Sequence, residues 1–445
     1  MKLTLIKPNI GRMEHSLYVD EGRMEPLQLG VLAALTPPDI EVALYDDRME
    51  PIPYDEPTDL AAITVETFTA RRAYEIGAAF RQRGVPVVMG GIHATLAPDE
   101  VAQHADAVFT GDAETLWPQM LADARARRLQ PRYHAPVGIP QPGALTRRDL
   151  FKGKGYLPLT LLQFSRGCRY ACDFCAVSVY FDRAHYRRCI AEVVREIEAQ
   201  NRRELFFVDD NLLANHEAAK ELFRALIPLR VRWVSQGSID MTGDAELMDL
   251  MMQSGCLGHV IGFESIDRRS LRAMKKSANL SGGFADYAPQ IRILREYGVQ
   301  VWGSFTLGHD HDTPETIART RAFAQENKFA FAAFNILMPY PNTPLYRRLA
   351  HEGRLLYEGR WWLHPEYRFN HAPFMPKLMS ADELTAAGFR ARKEFNTLGS
   401  IVRRAFDFKT HMRSPYRLGL YMVYNPLFRK EVHKKHGMRF GEGSQ

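Results

Sequence analysis

A chain of 445 residues, 46% hydrophobic and 25% charged, is too long for one ordinary core, so more than one domain is expected. No run of about 18 apolar residues occurs, which excludes a membrane-spanning helix, and "MKLTLIKPNIG" at the start lacks the length and cleavage site of a signal peptide. The net charge of +6 is concentrated late in the chain without any visible nucleic-acid recognition module, so no nucleic-acid partner is expected.

Residues 1–130 alternate two kinds of segment. "KLTLIKP", "IEVALYD", "DLAAITV", "VPVVMGG" and "ADAVFTGD" read as strands, whereas "EPLQLGVLAAL", "TARRAYEIGAAFRQRG" and "AETLWPQMLADARARR" have helical spacing. Such alternation implies an α/β domain with a parallel sheet, whose ligands lie at the carboxyl ends of the strands. Those ends carry Thr64 and Thr67, "GGIHAT" from Gly90 to Thr95, and "TGDAE" from Thr110 to Glu114. Paired glycines let a backbone approach a flat ligand closely, although they serve structural turns as well. Residues 131–158 are rich in Pro and Gly and read as a linker.

A second alternation fills residues 159–346. Its strands are expected at Leu159–Phe164, Glu204–Val208, Val231–Ser235, Gly258–Phe263, Val299–Leu307 and Phe331–Leu337, with helical segments between them. Six such units predict an open (β/α)6 barrel, with its chemistry at the carboxyl ends of the strands. Residues 347–445 then read as a mostly helical cap, its basic residues interleaved with aromatics.

"SRGCRYACDFCAV" follows the first barrel strand and places Cys168, Cys172 and Cys175 at C-x3-C-x2-C spacing. A structural zinc site wants four ligands, usually as two distant pairs, and a ferredoxin-type cluster wants four cysteines. The two remaining cysteines, Cys189 and Cys256, stand alone and are expected to be packed small hydrophobes. Three clustered thiolates in a five-cysteine chain fit a reducing compartment, the cytoplasm, and point to a [4Fe–4S] cluster with one iron left open.

With an aromatic, Phe174, before the last cysteine, this motif resembles that of the radical S-adenosylmethionine (SAM) superfamily. The resemblance implies that the open iron chelates SAM, whose reductive cleavage yields a 5′-deoxyadenosyl radical. It implies SAM contacts at the later strand ends: Asp209 and Asp210 in "FFVDDN", Gln236 and Ser238 in "WVSQGSID", Gly262 and Glu264 in "GFES", and Ser304 in "GSFTLGHD". "MPYPNTPL" resembles the family's P-x-P-G-T, with Asn342 in place of the glycine.

The order of the two domains, with "PLQLGVLAAL", "TVETFTARR", "GGIHAT" and "GDAE" in the first, resembles the cobalamin-binding branch of that superfamily. It implies a Rossmann-like, flavodoxin-like domain holding a corrin ring on its strand ends, with the nucleotide tail between sheet and helix. Thr64, Thr67, Gly90, Gly91, His93, Thr95 and Gly111 are the implied contacts. The D-x-H-x-x-G string that supplies histidine to cobalt is absent, so His93 is expected to be a corrin-edge or tail contact, or a surface residue.

The implied activity is cobalamin-dependent methylation of an unactivated carbon. Alternatives are a radical oxidation, cyclisation or rearrangement without methyl transfer, and a non-catalytic iron–sulfur sensor. Trp361, Trp362 and the basic, aromatic cap point to a sizeable amphipathic or lipid-like substrate and to peripheral membrane contact. A reductant such as flavodoxin or ferredoxin is the expected protein partner.

Overall fold

The computed structural model describes residues 1–11, 22–138, 143–200 and 202–441; residues 139–142 of the expected linker and 442–445 of the expected cap lie outside them. The first sheet has six strands: β1 (Lys2–Lys7), β2 (Glu41–Asp46), β3 (Leu60–Thr64), β4 (Val87–Gly90), β5 (Ala107–Thr110) and β6 (Arg132–His134). All pair in parallel in the order 2-1-3-4-5-6. The flavodoxin-like order puts β2 and β3 on opposite sides of β1, which opens a crevice at the carboxyl ends. Helices Leu27–Leu35 and Trp117–Arg125 cover one face, over Leu3, Ala62, Val88 and Phe109. Helix Ala70–Gln82 covers the other, over Ile63, Met89 and Val108. Burial on both faces explains why strands such as "LAAIT" are apolar without alternation. Strand β6 falls inside the stretch expected to be linker; three residues at a sheet edge are too few to show a period.

The second sheet begins at β7 (Thr160–Leu162). An antiparallel hairpin, β8 (Ser165–Gly167) with β9 (His185–Arg187), follows at once. The expected first strand ends early because the N–H groups of Phe164 and Ser165 turn aside to the Asp209 carboxylate. The sheet continues with β10 (Glu204–Phe207), β11 (Arg232–Gly237), β12 (Cys256–Glu264), β13 (Gln300–Leu307) and β14 (Phe331–Ile336). These pair in parallel in the order 7-10-11-12-13-14, and β7 and β14 end the sheet, so the six-stranded barrel is open. Phe207, Trp233, Phe263, Phe305 and Phe334 build its core.

The carboxyl-terminal region is helical, with Ala381–Phe395, Leu398–Ala405 and Pro415–Lys435 as its main elements. Two of its arginines are buried at the amino-terminal end of the barrel strands. Arg417 donates to the carbonyls of Cys256 (3.0 Å), Leu257 (2.8 Å) and Gly298 (2.8 Å), and Arg404 to those of Phe329 (2.7 Å) and Ala330 (2.9 Å). These carbonyls open β12, β13 and β14, so much of the basic, aromatic tail plugs the barrel base, away from the strand ends expected to meet substrate.

Trp361 and Trp362 are 0% and 2% exposed, correcting their expected role at a substrate surface. They donate to the Pro339 carbonyl and to Glu100, both at 3.0 Å, and pack with Phe68, Tyr367 and Phe440 between the first domain and the cap. Cys189 is also corrected: it is exposed, directly before helix Ile190–Glu198, where a residue outside the helix has no core to enter. Cys256, inside β12, is buried as expected.

Candidate active site

The three cysteines lie on the segment between β8 and β9. Gly167 has φ +82°, and a Cβ there would sit 2.2 Å from the Ala184 carbonyl oxygen, so only glycine lets the hairpin close before Cys168. The Gly167 N–H donates to Asp210 at 2.8 Å. Asp209 is fully buried and accepts from Phe164 N–H (3.2 Å), Ser165 N–H and the Ser165 hydroxyl (2.5 Å); burial pushes it up to about 7. Gln236 Nε2 donates to the carbonyls of Asp209 (2.6 Å) and Asp210 (3.1 Å). Asp209 and Gln236 therefore hold the loop to the barrel, and Asp210 alone of this group lines the adjoining cavity.

Cys172 is buried, and Cys168 and Cys175 are half-buried. Asn211 Nδ2 reaches Cys168 Sγ at 3.7 Å and donates to Ser238 Oγ at 2.6 Å, tying one cysteine to the β11 end. Sequence reading passed over Asn211, although it directly follows the two aspartates. Burial pushes the Cys168 thiol up and the Cys172 thiol up to about 12, so these sulfurs ionise readily only when iron replaces the proton. Among the described residues no three His, Cys, Asp or Glu side chains gather tightly enough for one metal ion. In a cubane each thiolate bonds a different iron, so a donor set of three cysteines on one loop fits a cluster.

Behind the loop, Glu264 (φ +61°) ends β12 and pairs with Lys276 Nζ at 2.9 Å; their side chains are 8% and 16% exposed. Burial opposes the Lys276 charge, but Glu264 and the sulfurs of Cys172 and Cys175 outweigh it and shift this amine upward. Lys276 carried no sequence signal beyond a basic run. Gly262 makes room for the pair: a Cβ there would lie 2.5 Å from Glu264 Oε1 and 2.8 Å from Lys276 Nζ. Ser304, half-buried, is the register partner of Gly262 on β13. Phe174 is half-buried against the barrel core, edge-on to His309 with ring centroids 6.5 Å apart. Asn342 adopts φ +63°, the conformation a glycine would supply, and donates to the Leu96 carbonyl of the first domain.

Between the two domains lies a cavity of about 490 Å³. Thr64, Gly90, Gly91 and Gly111 line it from the first sheet, and Arg166, Tyr180 and Asp210 from the cysteine loop and barrel. It continues as an apolar slot between helix Leu27–Leu35 and the sheet, past Ala62, Val88 and Phe109. Arg166 crosses the gap to Asp112 (3.2 Å) and Glu114 (2.6 Å), and the Tyr180 hydroxyl donates to Asp112 at 2.8 Å.

The strand-end glycines answer first to backbone needs. A Cβ at Gly91 (φ +113°) would meet the Val65 carbonyl at 2.9 Å, and one at Gly111 (φ +77°) the Ala135 carbonyl at 1.9 Å. Thr67, His93 and Thr95 do not line the cavity. His93 is 0% exposed, which corrects its reading as a surface residue, and its ring nitrogens meet Thr67 Oγ1 (3.2 Å) and Glu100 (3.0 Å). Thr95 Oγ1 accepts from Gly111 N–H at 3.0 Å. A broad opening at strand ends, joined to an apolar slot beneath a helix, fits a flat ring carrying a long tail. With both nitrogens engaged, His93 offers no ligand to a metal in that ring.

Three cysteines at the carboxyl end of an open parallel barrel, facing a second parallel domain across a cavity, define an enzyme built around an iron–sulfur cluster with a free coordination site. Residues 162–324 match the family model described as the radical SAM superfamily. A bacteriochlorophyllide d C-8(2)-methyltransferase of Chlorobaculum tepidum is 30% identical, over 76% of this chain and 80% of its own length. The bacteriochlorophyllide d C-12(1)-methyltransferase of the same organism is 27% identical over 91% of this chain and 89% of its own. Among solved structures, the radical SAM methyltransferase TsrM of Kitasatospora setae superposes with a TM-score of 0.63 at 19% identity, covering 79% of this chain and 76% of that one. The chain belongs to the radical SAM superfamily, in its cobalamin-domain branch, and is an enzyme of the methyltransferase group. Membership assigns it a [4Fe–4S] cluster and SAM.

Proposed function

We propose that this enzyme methylates an unactivated carbon of a bulky, amphipathic polycyclic molecule, with cobalamin as methyl carrier and a tetrapyrrole as the substrate class. The cavity between the first domain's strand ends and the cysteine-bearing segment supports this reading, because Thr64, Gly90, Gly91 and Gly111 line it from the first sheet while Arg166, Tyr180 and Asp210 line it beside the cysteines. When bound, SAM on the cluster supplies a hydrogen-abstracting radical and cobalamin supplies a transferable methyl group. Cys168, Cys172 and Cys175 hold three irons. Asp210, Ser238, Gly262, Glu264, Ser304 and Phe174 are the proposed SAM neighbours, with Lys276 fixing Glu264. Thr64, Gly90, Gly91 and Gly111 flank the ring, and the slot under helix Leu27–Leu35 takes the tail. The Arg166–Asp112–Tyr180 contacts hold the two domains in register and narrow the path for water between them.

The substrate class is supported by relatives that match 91% and 76% of this chain and are bacteriochlorophyllide d methyltransferases. A hopanoid C-2 methylase of Rhodopseudomonas palustris, 26% identical over 75% of this chain and 66% of its own length, keeps lipid-like polycycles in view. No described helix is long and apolar enough to cross a membrane. Peripheral membrane contact in the cytoplasm is assigned to Leu398, Val402, Phe406 and Phe408, which are 58%, 50%, 62% and 76% exposed beside the exposed Arg403 and Lys409. A one-electron donor of the flavodoxin or ferredoxin kind completes the system.

The test is anaerobic incubation of the reconstituted chain with SAM, reductant, hydroxocobalamin and a bacteriochlorophyllide. Deoxyadenosine, S-adenosylhomocysteine and methylated pigment should form in equal amounts. Relatives described as anaerobic magnesium-protoporphyrin IX monomethyl ester cyclases, such as that of Rubrivivax gelatinosus (24% identical over 65% of this chain), favour a second reading, radical oxidation or cyclisation. Deoxyadenosine without S-adenosylhomocysteine or methylated product would select it.

A further inference from the structure

We infer that the exposed face of residues 268–275, beside the cysteine loop, is the docking site for an acidic one-electron carrier protein that reduces the cluster. This rests on the radical SAM reading above. Five of the nine residues 268–276 are basic and none is acidic. Helix Arg268–Ala273 buries Ser270 and Leu271 and exposes Arg268, Arg269 and Arg272. Lys275 then takes a left-handed conformation (φ +58°), which leaves its own side chain exposed while Lys276 turns in to Glu264.

This segment touches the cluster loop directly: the Asp173 N–H, between Cys172 and Phe174, donates to the Met274 carbonyl at 3.1 Å. Arg169, next to Cys168, adds a side chain 54% exposed. The acids nearby are already engaged. Asp267 is gripped by Arg269 at 2.7 Å, Asp240 lies 3.7 Å from Arg169, and buried Asp173 faces Arg348 at 3.6 Å. Arg268, Arg272 and Lys275 have no ion-pair partner among the described residues. A cationic face hydrogen-bonded to the loop that holds the redox centre suits a negatively charged carrier, which such a field steers into brief, small-interface encounters. One electron passes from the reduced carrier to the oxidised cluster; the carrier is oxidised by one electron, and no bond or proton changes hands.

The experiment uses the full reconstituted chain with SAM, driven either by a bacterial flavodoxin with its reductase and NADPH or by dithionite. Arg268→Glu, Arg272→Glu and Lys275→Glu together should lower flavodoxin-driven deoxyadenosine formation about tenfold or more. The dithionite-driven rate and the iron content should not change. Arg403→Glu with Lys409→Glu, at the far base of the barrel, should leave both rates alone. In the unaltered chain, the flavodoxin-driven rate should fall steeply between about 50 and about 400 mM NaCl while the dithionite-driven rate stays level. A flavodoxin-driven rate indifferent to salt and to the reversals overturns the docking face, and equal losses with both reductants overturn it as well. No deoxyadenosine with either reductant overturns the radical reading itself.

Discussion

Lys276 and Glu264 meet at 2.9 Å behind the cysteine loop, twelve residues apart in sequence, and the missing side chain of Gly262 is what lets them meet. Lys276 of this pair sets its positive charge beside the sulfurs of Cys172 and Cys175. It also holds the carboxylate that the family resemblance puts against SAM.

Gly262→Ala should drive a methyl group into both partners and weaken SAM affinity about tenfold or more, read by equilibrium binding to the reconstituted chain. Glu264→Gln takes from Lys276 its carboxylate partner and should cost about 3 kcal/mol in anaerobic denaturant unfolding. If Glu264→Gln unfolds like the unaltered chain, the pair is not the buried unit described.

Alanine at Cys168, Cys172 or Cys175 should abolish cluster retention and deoxyadenosine formation. Cys189→Ser should leave both unchanged, because that thiol is exposed and outside the loop. Iron per chain and the low-temperature EPR signal of the reduced protein separate the two groups.

Arg417→Met strips three carbonyls at the barrel base, two of them in buried hydrogen bonds, of this donor. Each orphaned acceptor costs about 1–3 kcal/mol, so a loss of about 3 kcal/mol or more is expected in urea unfolding. Activity per folded molecule should be retained, since the base lies opposite the cluster.

Asp209 sits at about 7 in the folded chain because of burial, against about 3.9 for an unfolded aspartate. Between those values the folded state keeps a proton that the unfolded state has released. The stability this group lends is therefore greatest at low pH and is lost as pH rises toward 7. The unaltered chain, measured relative to Asp209→Asn, should lose stability from about pH 4 to about pH 7 and level off above it. Parallel thermal unfolding of the two proteins across that range is the check; a constant difference would contradict a protonated Asp209.

Replacing Leu398, Val402, Phe406 and Phe408 by serine should reduce sedimentation with anionic vesicles without shifting the unfolding midpoint, because these side chains are already in water. Unchanged sedimentation would remove the membrane assignment.

The features legible beforehand were those written locally. Apolar runs bounded by Gly and Pro located the barrel strands to within a few residues, and C-x3-C-x2-C marked the three cysteines that the fold places on one segment after the first barrel strand. Strand β6 escaped because three residues carry no period. Asn211, Arg166 and Lys276 escaped because a polar residue in a polar stretch looks the same whether it faces water or a partner.

The alternation that makes two parallel sheets and the C-x3-C-x2-C spacing of three thiols can be read from the chain without its fold. Periodicity and spacing are properties of neighbours along the chain. Which charges are buried, and against what, is set by the three-dimensional packing: Lys276 on Glu264, Arg166 across to Asp112, Arg417 under the barrel, His93 locked between Thr67 and Glu100, and two tryptophans spent on packing. Those contacts join residues from 7 to more than 250 positions apart, and their worth comes from exclusion of water, which the identity of the residues alone does not record.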